Sequence, residues 1–256
     1  GVLQRIALAY VIAAIMVIHL DLKKIFISAL GILIAYWGIL WIGGGEDPYS
    51  LEHNLIRKID IFLLGESHLY GGTGIQFDPE GLLSTIPSVV TVLIGYLVGS
   101  MLHTTKDFLD NVKRMSTFGI GLIIVGIIWG LIFPINKQLW TSSYVLFTGG
   151  IATLFLSALC YMIDIKKWKK PLWVFQIFGT NSIFLFVLSG LWTKIILRLR
   201  FDLEGQSISG YGYLYKTLFV PIGGDMFGSF LFAFAHLVGF WLILLWLYRK
   251  KIFINL

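Results

Sequence analysis

Ile25-Phe-Ile-Ser-Ala-Leu-Gly-Ile-Leu-Ile-Ala-Tyr-Trp-Gly-Ile-Leu-Trp-Ile42 runs for eighteen residues without a charged side chain. A helix of that length covers roughly 27 Å, close to the hydrocarbon thickness of a bilayer. Similar blocks recur at about 2–20, 82–103, 116–134, 141–163, 172–198 and 226–248. The chain is 57% hydrophobic and only 13% charged, with a mean hydropathy of +0.83, whereas soluble domains carry about 25% charged residues. The reading is an all-α polytopic transmembrane bundle of about seven spans, forming a single transmembrane domain over residues 1–256. The blocks lack the alternation of a membrane β-barrel. Cys160 is the one cysteine, inside an apolar block, so neither disulfides nor a cysteine metal site is expected. The chain opens at Gly1 directly in a hydrophobic run, with no cleavable signal peptide, and reads as N-terminally truncated.

Two long polar loops, about 43–81 and 199–225, separate the blocks. With the C-terminus on the cytoplasmic side, the inner segments hold Lys23, Lys24, Lys106, Lys113, Arg114, Lys166, Lys167, Lys169, Lys170, Arg249, Lys250 and Lys251 against Asp21, Asp107, Asp110 and Asp164. The long outer loops are mildly acidic, so both face outward by the positive-inside rule. A basic inner mouth would concentrate a phosphate-rich anion, and an acidic outer face a cationic or amino-bearing ligand. Topology and attraction to anionic lipid account for the same inner charges. The basic residues are scattered and juxtamembrane, which argues against nucleic acid.

Chemistry-bearing residues concentrate around His68-Leu-Tyr70-Gly-Gly-Thr-Gly-Ile-Gln-Phe77-Asp78-Pro79-Glu80-Gly81. A histidine, two carboxylates, a tyrosine and several glycines there point to a shaped pocket; the plain alternative is an ordered loop with a helix start at Asp78-Pro79-Glu80. His68 is a general-base candidate by residue type. Arg57 to Gly65 looks amphipathic, fit to lie along the membrane surface. No spacing matches a metal motif, and no metal is expected. Arg5 snorkels or faces a hydrated cavity. Ser84, Thr85 and Ser88 continue the pocket side. Gly95 and Gly99 read as a helix-packing pair, and Trp140-Thr141-Ser142-Ser143 as a helix cap with substrate contact second. His236, mid-helix, reads as paired with a neighbouring helix.

Gly1-Val-Leu-Gln4-Arg5, His68-Leu-Tyr70, Phe77-Asp78-Pro79-Glu80-Gly81-Leu-Leu-Ser84, Leu139-Trp140-Thr141-Ser142-Ser143 and Phe178-Gly179-Thr-Asn181-Ser182 together resemble the heparan-α-glucosaminide N-acetyltransferase family, its bacterial branch in particular. The resemblance implies a multi-pass acetyltransferase, in the bacterial inner membrane for that branch. It takes acetyl-CoA from the cytoplasmic side and acetylates a glucosamine-type amine on the other. It implies an acceptor side lined by Gln4, Arg5, Asp60, His68, Tyr70, Asp78, Glu80, Trp140 and Ser142, with Asn181 and Ser182 beside the pantetheine arm. Lys23, Lys24, Arg114 and Arg249 are CoA-phosphate candidates on charge and position. Membrane lipid, the amino sugar and a second copy in a homodimer are the implied partners. About three family helices, with the family's catalytic histidine, would precede Gly1. None of His19, His53, His68, His103 or His236 matches that histidine, so no catalytic role transfers and these residues alone would be inactive. O-acetylation of a surface polysaccharide and sugar transport without chemistry are the rival readings; a transporter would show paired half-sequences or matched broken helices, and neither is visible.

Overall fold

The structure is a computed structural model that describes residues 1–72, 74–102, 104–168, 170 and 172–254; His103 and Lys169, noted above, lie outside the described residues. Helix dominates, as the all-α polytopic reading expects. Among the described residues Val2–His19, Leu22–Gly43, Phe108–Gly130, Ser142–Ile165 and Gly210–Arg249 are long and apolar enough to cross a bilayer. The block expected at 172–198 is instead two helices, Trp173–Thr180 and Ser182–Arg198, bent by 76°, the geometry of a broken span or a re-entrant loop. The block expected at 82–103 is the shorter helix Thr85–Met101. The long helices thus number five or six rather than seven. The chain forms two compact units, residues 1–167 and 168–256.

The first unit holds α1 (Val2–His19), α2 (Leu22–Gly43), α3 (Leu55–Leu64), α4 (Thr85–Met101), α5 (Phe108–Gly130) and α6 (Ser142–Cys160). Beyond their polar first turns the long helices are largely apolar on every face, so membership of the core is set by spacing. In α1 only Arg5, Ala9 and Ala13 are buried, and in α2 Ile25, Ala29, Leu33, Tyr36 and Leu40. These repeats follow one face of a 3.6-residue helix, and the remaining apolar side chains stay exposed, as a bilayer permits. Ala9, Ala13, Ile25, Ala29 and Leu33 among them meet Val90, Leu93, Ile94 and Leu97 of α4, with Met115, Val145 and Leu146. Side-chain caps start α2 at Asp21, α3 at Asn54, α5 at Asp107 and α6 at Thr141. Asn111, 1% exposed, fixes the α4–α5 turn through the Leu102 and Thr105 carbonyls.

Close helix approach occurs where α5 meets α6. A Cβ at Gly150 would stand 2.6 Å from the Gly119 carbonyl oxygen, and one at Gly126 2.7 Å from the Phe147 nitrogen. At Gly95 and Gly99 it would meet nothing within 4 Å. The packing glycines are therefore on α5 and α6, and the pair expected on α4 packs against no described residue.

The second unit holds α7 (Trp173–Thr180), α8 (Ser182–Arg198), a hairpin of β1 (Arg200–Leu203) and β2 (Gln206–Ser209), α9 (Gly210–Leu214), a π turn at Tyr215–Phe219 and α10 (Val220–Arg249). The strands pair antiparallel across Glu204 (φ 54°) and Gly205 (φ 79°), the two positive φ values that match strand twist in a tight hairpin. α10 is interrupted at Gly223–Gly224. His236 hydrogen-bonds the Phe232 carbonyl of its own helix at 2.8 Å, and the neighbouring helices expected as its partners meet it through ring contacts, Trp192 of α8 at 6.1 Å and Tyr211 of α9 at 6.2 Å between centroids.

The glycine assignment gives the first prediction. Gly150→Val should cost about 1–3 kcal/mol through overpacking and lower the thermal midpoint in detergent, whereas Gly95→Ala should leave it unchanged or slightly raised. Equal midpoints for the two variants would contradict the assignment.

Candidate functional site

Arg5 is the organising side chain. It is buried in the first turn of an apolar helix, 6% exposed, where an unsatisfied guanidinium would be costly. Its Nη2 donates to the Pro79 carbonyl and the Ser84 hydroxyl. Its guanidinium carbon lies 4.7 Å from the centre of the Trp140 ring, a cation–π distance. Glu80, Asp78 and Asp60 act on it through space. Its Nε carries no hydrogen bond among the described residues. Arg5 thus ties α1 to the Phe77–Ser84 stretch and to the α5–α6 connection.

That stretch is a turn rather than a helix start. Asp78 Oδ1 accepts from the Glu80 N–H at 2.8 Å, and helix begins only at Thr85. Ser84 and Thr85 both donate to the Gly81 carbonyl at 3.0 Å, and Ser88 to that of Thr85 at 2.6 Å. These hydroxyls shape the turn and are largely spent doing so. Phe77 is fully buried with Tyr36, Leu40, Ile56, Phe133 and Leu139, a second apolar cluster beneath the turn. Trp140 takes a left-handed backbone, φ 51°, uncommon for so bulky a residue. Its indole N–H donates to Thr91 at 3.3 Å, which holds the ring over Arg5.

Asp60 projects from α3 and is fully buried. Its Oδ1 accepts from Leu82 N–H at 3.1 Å, while Oδ2 has no hydrogen bond among the described residues. A Cβ at Gly81 would collide with the Asp60 carboxylate, so this approach requires glycine. Burial pushes the Asp60 pKa up; the Leu82 N–H and Arg5 oppose the rise and Asp78 adds to it. α3 is amphipathic as expected, with Ile56 and Asp60 buried and Phe62, Leu63 and Leu64 exposed toward its C-terminal end. Arg57 anchors it by donating to the Gln76 carbonyl and pairing with Glu66 at 3.3 Å.

Of the expected acceptor-side residues, Arg5, Asp60, Asp78, Glu80 and Trp140 are brought together. Ser142 is buried, its hydroxyl donating to the Leu33 carbonyl at 2.7 Å, so it ties α6 to α2. Gln4 is exposed and bonds the Gly1 nitrogen. His68 and Tyr70 are exposed, and the His68 Nδ1 contact is its neighbour Ser67 at 3.3 Å. No cluster of potential metal ligands occurs among the described residues.

A second feature of this unit left little trace in the sequence beyond Arg114. A cavity of about 860 Å³ runs between α2, α4 and α5, walled by Leu30, Leu33, Val90, Ile94 and Phe118, with Asp110, Lys113, Arg114 and Thr117 at one end. Arg114 pairs with Asp110 at 3.0 Å, while Lys113 has no ion pair among the described residues. The charged end belongs to the first turns of α5; the polar cluster sits where α4 begins. The two features approach each other at Leu33, whose carbonyl holds Ser142, and at Val90, next to the Thr91 that holds Trp140. Lys23 and Lys24 stay outside the lining; Lys24 pairs with Asp21 at 3.2 Å on the surface. Asn181, Ser182 and Arg249 belong to the second unit. There the Asn181 amide donates to Ile252 O and accepts from Ile254 N, holding the C-terminal segment.

The described fold and site define an integral, multi-pass helical membrane protein with a charged site at one end of its first unit. The chain is 33% identical over 171 residues to heparan-α-glucosaminide N-acetyltransferase of Mus musculus, covering 59% of this chain and 26% of that protein. It is 35% identical over 147 residues to the Homo sapiens protein of the same name, covering 50% and 22%. The resemblance to the family as a whole is borne out by these relatives, of whose length the chain spans about a quarter. No family model matches.

Asp60 generates a pH prediction. Its raised pKa favours the protonated form in the fold. As pH rises from about 4, the unfolded chain releases this proton first and stability falls until the raised value is passed. Asp60→Asn should remove that fall, read as the difference in thermal midpoint between variant and parent across the pH range. A variant whose midpoint drops relative to the parent as pH rises would contradict it.

Proposed function

We propose that these residues form part of a transmembrane acetyltransferase. It moves acetyl from cytoplasmic acetyl-CoA to the amino group of a glucosamine-type sugar on the extracytoplasmic side of a bacterial inner membrane. The observation that carries this reading is the pairing of an acidic site around Arg5 with an apolar cavity whose charged end holds Asp110, Lys113 and Arg114, the two approaching each other at Leu33 and Val90. The names of the relatives supply the acetyl group and the glucosaminide.

Asp78 and Glu80, half-buried at the turn, give the acceptor side its negative charge and draw a sugar ammonium. Arg5 and Trp140 hold the turn that carries them. The cavity takes the pantetheine arm, with Lys113 and Arg114 toward the donor phosphates. In the transfer the amine gives a proton to a base and its nitrogen bonds the acetyl carbon. The carbon–sulfur bond breaks, and the CoA thiolate is protonated. His68 stands apart from the cluster by every described contact, and the resemblance places the base outside these 256 residues. The partners of this reading are the amino sugar, membrane lipid around the exposed helix faces and a second copy of the chain.

The test is transfer of labelled acetyl from acetyl-CoA to glucosamine by a full-length chain carrying these residues, with the 256-residue piece alongside and expected to transfer none. Gly121 lines the cavity, and an added Cβ there meets nothing within 4 Å. Gly121→Leu should therefore fill the cavity without disturbing the fold, raising the KM for acetyl-CoA by about tenfold at an unchanged thermal midpoint. An unchanged KM would remove the cavity from the donor site. Acetylation of sugar hydroxyls alone would favour the O-acetyl reading, and uptake without acetylation a transporter.

A further inference from the structure

The second unit contains a separate cavity of about 390 Å³ between α8, the π turn and α10. Its walls include Trp192, Leu218, Phe219, Phe232 and Phe240, and His236 is the only lining side chain with a strong hydrogen-bond acceptor. His236 Nδ1 faces the Phe232 carbonyl at 2.8 Å. A carbonyl only accepts, so the proton of the neutral imidazole sits on Nδ1 and leaves Nε2 as an acceptor. Nε2 has no partner among the described residues. Aromatic rings stand around the imidazole, Phe232 at 4.4 Å, Trp192 at 6.1 Å and Phe240 at 6.4 Å between centroids.

This chemistry selects its occupant. Among the described residues no charged side chain lines the cavity, so an ionised ligand would enter it unpaired. A sugar would bring several hydroxyls to one acceptor, leaving the others unsatisfied. What fits is an apolar body carrying one hydroxyl. We propose that this cavity binds a neutral lipid alcohol from the membrane, its hydroxyl donating to His236 Nε2 and its hydrocarbon lying against Trp192, Phe219, Phe232 and Phe240. The site shares no residue with the Arg5 cluster or the first unit's cavity, so it stands or falls independently of the acetyltransferase reading.

The test uses a long-chain diazirine-bearing primary alcohol, with its methyl ether and the matching carboxylate as controls, photo-crosslinked to the intact chain in detergent. The alcohol should label α10 about fivefold more than the ether, the expected scale of one net hydrogen bond, and the carboxylate should label least. His236→Phe should abolish the alcohol–ether difference. Gly239 lines the cavity, and a Cβ added there meets nothing within 4 Å, so Gly239→Leu should block labelling by both without unfolding the chain. Equal labelling by alcohol and ether in the parent, or parental labelling of Gly239→Leu, would overturn the proposal, as would the carboxylate labelling best.

Discussion

A guanidinium at the end of an apolar helix constrains everything around it. Arg5 lies within a segment whose other buried residues are Ala9 and Ala13. Its charge has to be met by groups brought from elsewhere in the chain. They come from two distant stretches: the Pro79 carbonyl and Ser84 from the turn before α4, and the Trp140 face from the turn before α6. Meeting that demand fixes the turn, which places Asp78 and Glu80 at its surface. The turn's backbone in turn holds Asp60, since Leu82 N–H and the absence of a side chain at Gly81 admit the carboxylate. Trp140 accepts a left-handed backbone to complete the arrangement. The site is thus a consequence of placing one charge among helices that offer it nothing.

Much of this was legible in the chain. Uninterrupted apolar runs marked where most of the long helices lie and in what order, because backbone groups in a bilayer have to be satisfied within a helix or a closed barrel. Asp21, Asp107 and Thr141 announce their caps by residue type. Arg5, Asp78, Glu80 and Trp140 stood out because polar residues beside apolar runs need partners. Other features depend on three-dimensional neighbours that no local pattern encodes. Ser142 and Asn181 looked like substrate contacts, yet their polar atoms tie backbone segments together. Gly95 and Gly99 matched a packing pattern, but which face of α4 meets a neighbour is not written in the spacing. The hairpin after α8 did leave a signal, the alternating Phe201, Leu203 and Ile208 around Glu204-Gly205, hidden by its place in a polar loop.

The first unit has two chemically different ends joined by α4. The carboxylates and the buried arginine gather near its start, and its later turns wall an apolar cavity that ends at Asp110, Lys113 and Arg114. The group transfer proposed above would use that polarity, with an anionic donor and an ammonium acceptor approaching from opposite sides, each drawn by opposite charge. On the acetyltransferase reading proposed above, apolar cavity walls would suit a thioester arm, which needs shape and exclusion of water more than hydrogen bonds.

The central claim is that these ends face opposite sides of one membrane. With Cys160 replaced by serine, Gln76→Cys in the acidic loop and Lys106→Cys in the turn before α5 each place one thiol at an exposed position. Labelling by a membrane-impermeant maleimide in sealed vesicles of known orientation reads the side directly. The account predicts that Cys at 76 reacts only from the extracytoplasmic side and Cys at 106 only from the cytoplasmic side. Reaction of both from the same side would contradict it.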